Sequence, residues 1–177
     1  MKNKLMRAAV LYEVNKPLVV EDIAVPDLKE GQVLVKMKAS GVCHKQLEDV
    51  SGKHGEDKWL PHLLGHEGSG VVESVGKGVT KVIPNNHVIL SWITGSGRNA
   101  ETPIYKIGDK RINAGTVTTF NNYAIVAENK ITPIKNSVPF KEACLIGCAV
   151  PTGVGAVINE SKVEEDKIVV VYGIGGV

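Results

Sequence analysis

Three short runs place metal-binding side chains within one chain: Cys43-His44, Gly65-His66-Glu67-Gly68 and Cys144-Leu145-Ile146-Gly147-Cys148. Singly, each has a plainer reading. A buried cysteine usually packs as a small hydrophobe, and a histidine usually ends as a hydrogen-bonded polar group. Cys144, His54, His62 and His87 keep that plainer reading here. Context separates Cys43, His66 and Cys148 from the rest. His66 stands among glycines just before a β-rich run, Cys43 lies between a strand and a short polar helix, and Cys148 ends a helical turn at a glycine. Two cysteines and one histidine form a donor set of catalytic zinc, which leaves a fourth position open for water or substrate. Two thiolates and a neutral imidazole cancel the ion's charge, so it remains a stronger Lewis acid than under four thiolates.

A second chemical feature closes the chain. Gly173-Ile174-Gly175-Gly176-Val177 follows the apolar run at residues 168–172. Glycines after a buried strand let a phosphate-bearing ligand approach the backbone and the next helix. Only the first part of that signature is present. The acidic ribose ligand expected roughly 20 residues further on lies outside these 177 residues, and the expectation is a piece of a longer protein that by itself holds a dinucleotide poorly.

Composition narrows the classes. The 177 residues are 43% hydrophobic, enough for one core plus an appendage. With 21 basic and 19 acidic residues and no basic block, nucleic acid is not the expected partner. No apolar stretch approaches the roughly 20 residues of a membrane span, and charged Arg7 and Glu13 interrupt any signal-peptide core. Three cysteines do not make a disulfide framework, so a reducing cytoplasm is expected.

The elements that would position these groups change character along the chain. Residues 7–12, 18–25, 33–39, 71–75, 88–92 and 116–126 read as strands, with residues 33–39 alternating at their centre as a half-buried strand does. Many short strands punctuated by Gly and Pro suggest a small irregular barrel. Residues 95–115 are polar and aperiodic, a long excursion. After Pro139 the pattern favours helix over residues 140–146 and 153–161, then a continuous apolar strand at 168–172 of the kind buried on both faces. A boundary near residue 150 follows, with one unit at 1–150 and the start of an α/β unit at 151–177.

Taken in order, Gly41-Val42-Cys43-His44, Gly65-His66-Glu67-Gly68-Ser69-Gly70, Thr119-Phe120 with Tyr123, Cys144 to Cys148 with Thr152-Gly153, and Gly173 to Val177 resemble the zinc-dependent alcohol dehydrogenases of the medium-chain dehydrogenase/reductase superfamily. The resemblance implies a mainly β fold with some α: a GroES-like irregular β-barrel, followed by the truncated start of a Rossmann α/β domain. It implies hydride transfer between an alcohol or aldehyde and NAD or NADP, in a homo-oligomer. By position Cys43, His66 and Cys148 match the catalytic zinc ligands, and Glu67 a carboxylate that approaches the metal. His44 matches a contact to cofactor phosphates, Thr152 and Val177 contacts to the nicotinamide, Gly173, Gly175 and Gly176 the cofactor turn, and Trp92 a substrate-pocket wall.

Three departures stand against the family pattern. Residues 96–114, which match the lobe of a second, structural zinc, contain no cysteine, so one zinc is expected. Gln46 replaces an aspartate that fixes the ligand histidine. An amide accepts the imidazole N–H without adding charge, and loss of such a partner typically costs roughly 10–100-fold in affinity or activity. Lys45 stands where a Ser or Thr hydroxyl relays the alcohol proton. Either a neutral Lys45 amine takes over that relay, with Glu48 one turn on at its outer end, or Lys45 points outward and the relay is altered. Two further readings remain: a GroES-like zinc-binding module without catalysis, and a zinc-free reductase, which the intact Cys43, His66 and Cys148 oppose.

Overall fold

The computed structural model describes residues 4–177, and the sequence reading of residues 1–3 lies outside them. Its architecture is mainly β with short helices. β1 (Leu5–Leu11) pairs antiparallel with β2 (Val19–Ala24) and with β4 (His62–Leu63) in a three-stranded sheet. A five-stranded sheet has the order β10-β6-β5-β3-β9, formed by β3 (Gln32–Ser40), β5 (Glu67–Val75), β6 (His87–Ser91), β9 (Tyr123–Ala127) and β10 (Ile131–Ile134).

Both faces of the large sheet's centre are buried. Leu34 and Ile125 point into one core with Met6, Val10, Ile23, Tyr105 and Ile112, which lies under the three-stranded sheet. Val33, Val35, Ala124 and Val126 point the other way, into a second core with Val72, Val88, Leu90 and Ile131. That arrangement confines the half-buried pattern of residues 33–39 to the part from Val35 onward, where exposed Lys36 and Lys38 alternate with the less exposed Met37 and Ala39. Val33, Leu34 and Val35 are all fully buried, and exposure begins only at Lys36. Pro133 lies in β10 at the sheet's edge, where a missing N–H disrupts no inner ladder.

The excursion at residues 95–115 contains a small hairpin, β7 (Tyr105–Ile107) and β8 (Lys110–Ile112), whose Tyr105 and Ile112 plug the first core. Its base is anchored by Glu128, a buried carboxylate that accepts backbone N–H groups from Thr80 at 2.6 Å, Lys81 at 2.6 Å and Arg98 at 2.7 Å. Burial alone would raise the Glu128 pKa, but these hydrogen bonds outweigh it and hold the carboxyl below its usual range.

Helices are short: α1 (His44–Val50), α2 (Phe140–Ala143), a 3-10 turn at Cys144–Gly147, α3 (Ala149–Gly155) and a π turn at Ala156–Glu160. Residues 168–172, expected as a strand, are irregular and exposed. Among the described residues no strand pairs with them, and an isolated strand leaves its backbone groups unsatisfied. No single helix among the described residues is long and apolar enough to cross a membrane.

Candidate metal centre

Three chain segments converge at one end of the large sheet. Cys43 is the residue before α1, three residues after β3 ends at Ser40, and His66 immediately precedes β5. A clamp of hydroxyl groups joins these strand ends. Ser40 Oγ donates to the Glu67 carbonyl at 3.1 Å, Thr119 Oγ1 reaches the same oxygen at 3.2 Å, and the two hydroxyls lie 2.7 Å apart. The Gly41 N–H also donates to that carbonyl at 3.3 Å. Gly65 has φ +89°, and a Cβ there would collide with Thr119 Oγ1 and lie 2.9 Å from the Phe120 backbone nitrogen. Only glycine brings the chain into His66 along this path.

The third segment is tied down by three bonds. Ser69 Oγ donates to the Phe140 carbonyl at 2.6 Å and Ser91 Oγ to the Gly147 carbonyl at 2.6 Å, while Glu67 Oε2 accepts the Ala149 N–H at 3.2 Å. Cys148 is thereby fixed between the 3-10 turn and α3.

The outcome is one cluster. A ligand atom from each of Cys43, His66 and Cys148 lies within 4.8 Å of the other two. Tetrahedral zinc at its usual bond lengths separates such donors by roughly 3.5–3.8 Å, so small side-chain adjustments seat it. His66 Nε2 is buried and has no hydrogen-bond partner, as a nitrogen reserved for a metal should be. Burial pushes the His66 pKa down, which favours the neutral, coordinating imidazole. Burial pushes the Cys148 thiol up; a hydrogen bond with the Trp92 side chain pulls it back, and the neighbouring Cys43 and Glu67 raise it further. The donor set fits zinc, and the raised thiol gives up its proton when a cation binds.

The remaining expected residues fall at varied distances from this centre. Glu67 is buried beside it, bonded to Ala149. Trp92 is half-exposed at the end of β6. Thr152 Oγ1 donates to the Cys148 carbonyl at 2.8 Å, and Val177 rests against Gly153, next to Thr152. His44 is exposed, its Nε2 4.0 Å from Glu48 Oε1. Gly173, Gly175 and Gly176 lie in open space. Lys45 forms an ion pair with Asp49, and Glu48 pairs with Lys53 at 2.5 Å and His54 at 3.1 Å. Lys45 and Glu48 line a cavity of about 650 Å³ that reaches His66. Gln46 is buried, but its Oε1 has no partner, so the hydrogen bond expected from His66 is not made. Cys144 packs in the interior, its thiol on the Lys141 carbonyl at 3.0 Å. Ser40 and Ser91 hold the cluster in place through these hydrogen bonds, yet nothing in their local sequence marks them for it.

Residues 29–136 match the family described as alcohol dehydrogenase GroES-like domain. The chain is 37% identical to the alcohol dehydrogenase class-3 of Zea mays, over 97% of this chain and 51% of that protein. It is equally 37% identical to the S-(hydroxymethyl)glutathione dehydrogenase of Paracoccus denitrificans, over 97% of this chain and 52% of that one. Among solved structures, the alcohol dehydrogenase zinc-binding domain protein of Burkholderia ambifaria superposes with a TM-score of 0.79 at 26% identity, covering 89% of this chain and 49% of its own. The benzyl alcohol dehydrogenase of Acinetobacter calcoaceticus gives 0.75 at 28%, covering 89% and 48%. The chain spans about half the length of the curated relatives it matches.

Proposed function

The chain belongs to the alcohol dehydrogenase GroES-like domain family, and from that premise we propose that it is the metal-bearing half of a zinc-dependent alcohol dehydrogenase. The whole protein would interconvert an alcohol and its aldehyde with NAD or NADP. The observation that carries this reading is the convergence of Cys43, His66 and Cys148, joined with a buried His66 Nε2 that has no hydrogen-bond partner. One zinc is proposed, held by those three residues. When bound, zinc would polarise the substrate oxygen and the nicotinamide would exchange hydride with the substrate carbon.

The chain's own residues divide the remaining work. Cys43 and Cys148 supply negative charge, and Glu67 positions the Cys148 segment through the Ala149 N–H. Trp92, beside Cys148, forms a wall of the substrate site. Thr152 and Val177, adjacent at α3, face the nicotinamide, and His44 with Gly173, Gly175 and Gly176 approaches the cofactor phosphates. We assign residues 1–150 to the barrel and 151–177 to the start of a Rossmann domain, and we place the protein in the cytoplasm as a homo-oligomer acting on a small alcohol or aldehyde, away from membrane and nucleic acid.

Lys45 is the departure with most consequence. Its ion pair with Asp49 favours the outward reading, in which protons leave through the water-accessible cavity beside His66 rather than through the Lys45 amine. That same pairing, with the unpartnered Gln46 Oε1, also favours a second reading: a zinc-binding module whose catalysis is weakened or lost. Zinc analysis together with alcohol-dependent NAD or NADP reduction by the full-length protein tests both. One zinc with turnover supports the enzyme; one zinc without turnover on any simple alcohol supports the module; no zinc removes both.

A further inference from the structure

Lys130 closes a 3-10 turn, Glu128–Lys130, that leads from β9 into β10. It is 8% exposed, yet among the described residues it forms no ion pair with a carboxylate. Buried ammonium groups are normally paired with an opposite charge. Here Nζ donates instead to the Trp92 carbonyl and to Thr94 Oγ1, both at 2.7 Å. Hydrogen bonds from a charged donor are roughly twice as strong as neutral ones. The buried charge therefore fastens one short stretch of chain just beyond β6.

That stretch leads back to the metal centre through a single peptide unit. The Trp92 carbonyl and the Ile93 N–H belong to the same rigid plane, so holding one end orients the other. The Ile93 N–H donates to Ser91 Oγ at 3.1 Å, and Ser91 Oγ donates to the Gly147 carbonyl at 2.6 Å. A hydroxyl has one proton to give, and the N–H arriving at its oxygen leaves that proton directed at Gly147. The Gly147 carbonyl in turn shares its peptide plane with the Cys148 nitrogen. A continuous chain of donors and acceptors thus runs from Lys130 Nζ to the backbone of Cys148, and each bond in such a chain polarises the next.

We propose that Lys130 is a positioning residue of the metal centre, acting through the Trp92–Ile93 peptide and the Ser91 hydroxyl to set the backbone from which Cys148 reaches the metal. The inference rests on the zinc reading given above. It assigns the buried charge a task that neither the barrel core nor the proposed substrate wall at Trp92 accounts for. Gly95 strengthens the attachment, since its N–H donates to the Asn129 carbonyl at 2.8 Å and ties the same stretch to the same turn.

Amide NMR of the metal-free 177-residue chain reads the relay, and Co²⁺ binding reads its consequence. Lys130→Met keeps the apolar stem and removes the charge and the donors. Its shifts should extend past Trp92, Ile93 and Thr94 to Gly147, Cys148 and Ala149. Co²⁺ affinity should fall roughly tenfold or more, as it does when a metal ligand loses an outer partner. The thiolate-to-cobalt absorption, which a loss of global stability alone leaves unchanged, should shift as well. Ser91→Ala should act in the same way, and the double variant should lose no more than the worse single one, because both act on one path. If Lys130→Met does not fold, Thr94→Val, which removes the second acceptor of Nζ, should shift the Gly147, Cys148 and Ala149 amides, and Thr94→Ser should restore them. Unchanged amides at those residues, an unaltered cobalt spectrum, or losses that multiply in the double variant would overturn the proposal. Absence of Co²⁺ binding by the unaltered chain would remove the zinc reading instead, and the amide shifts, taken without metal, then decide whether Lys130 holds Cys148.

Discussion

Gly147 and Glu67 are in backbone-to-backbone contact: a Cβ on Gly147 would lie 2.9 Å from Glu67 Cβ and 3.0 Å from its Cα. The same Cβ would collide with the Leu90 carbonyl oxygen. This close approach seats the turn before Cys148 directly on the strand that begins after His66, so two members of one cluster share a single packing contact.

Gly147→Ala should therefore cost roughly 1–3 kcal/mol, as overpacking of a tight interior does. Backbone atoms cannot give way as a flexible side chain would, and the displaced turn carries Cys148 off the cluster. Urea denaturation should show the loss of stability, and chelator competition a weaker hold on zinc. Unchanged zinc affinity would mean that the Cys148 position tolerates the shift.

Zinc binding should release protons and weaken as pH falls. Burial lowers the His66 pKa, so this imidazole is already neutral near pH 7 and gives up little. Cys148 is the reverse case: its raised thiol is protonated at neutral pH and must lose that proton to coordinate. Calorimetry of zinc binding in buffers of different ionisation enthalpy counts the protons released. No release near pH 7 would contradict the raised Cys148 thiol.

The cluster of Cys43, His66 and Cys148 was legible because each member sits in a short run bounded by glycines, and their order along the chain is distinctive. The hydroxyl clamp was not. Ser40 and Thr119 bond a carbonyl that is 27 and 52 residues away, respectively, and no local pattern encodes that meeting. Residues 116–126 read as one strand because of their β-branched content, but the ladder covers only Tyr123–Ala127. Thr119 and Phe120 instead turn their N–H groups to the Leu64 carbonyl. β7 and β8 are three residues each, too short for periodicity, and Pro133 disguises β10.

Glu128 should make the 95–115 excursion sensitive to acid. Its folded pKa is depressed, so its stabilisation is present above the unfolded value of about 4.3 and is lost as pH falls through the folded one. Glu128→Gln keeps the shape and removes the charge, and about 2 kcal/mol of stability should go with it at pH 7. Denaturation at pH 7 and below pH 4 should show the two proteins converging in acid. An equal difference at both pH values would place the effect in packing instead.

The 177-residue chain should self-associate through its last segment. Ile168 and Tyr172 are each 94% exposed, and Val169, Val170 and Val171 between them are also exposed. Each such side chain is worth roughly 1.5–3 kcal/mol when buried. The run has strong β-propensity and no proline, and its backbone groups have no ladder partner among the described residues, which is the character of an unprotected edge. Pairing between copies satisfies both the apolar surface and the backbone. The barrel and the ligand cluster up to Cys148 do not draw on residues 168–172, so shortening the chain to residue 160 should leave a zinc-binding monomer. Neither form should bind a nicotinamide cofactor measurably, because Gly173, Gly175 and Gly176 stand in open space, with no helix N-terminus beside them among the described residues. Sedimentation velocity on both chains, with a cofactor titration, reads this directly. A monomeric 177-residue chain that binds NAD would show that the last segment is already folded for its task.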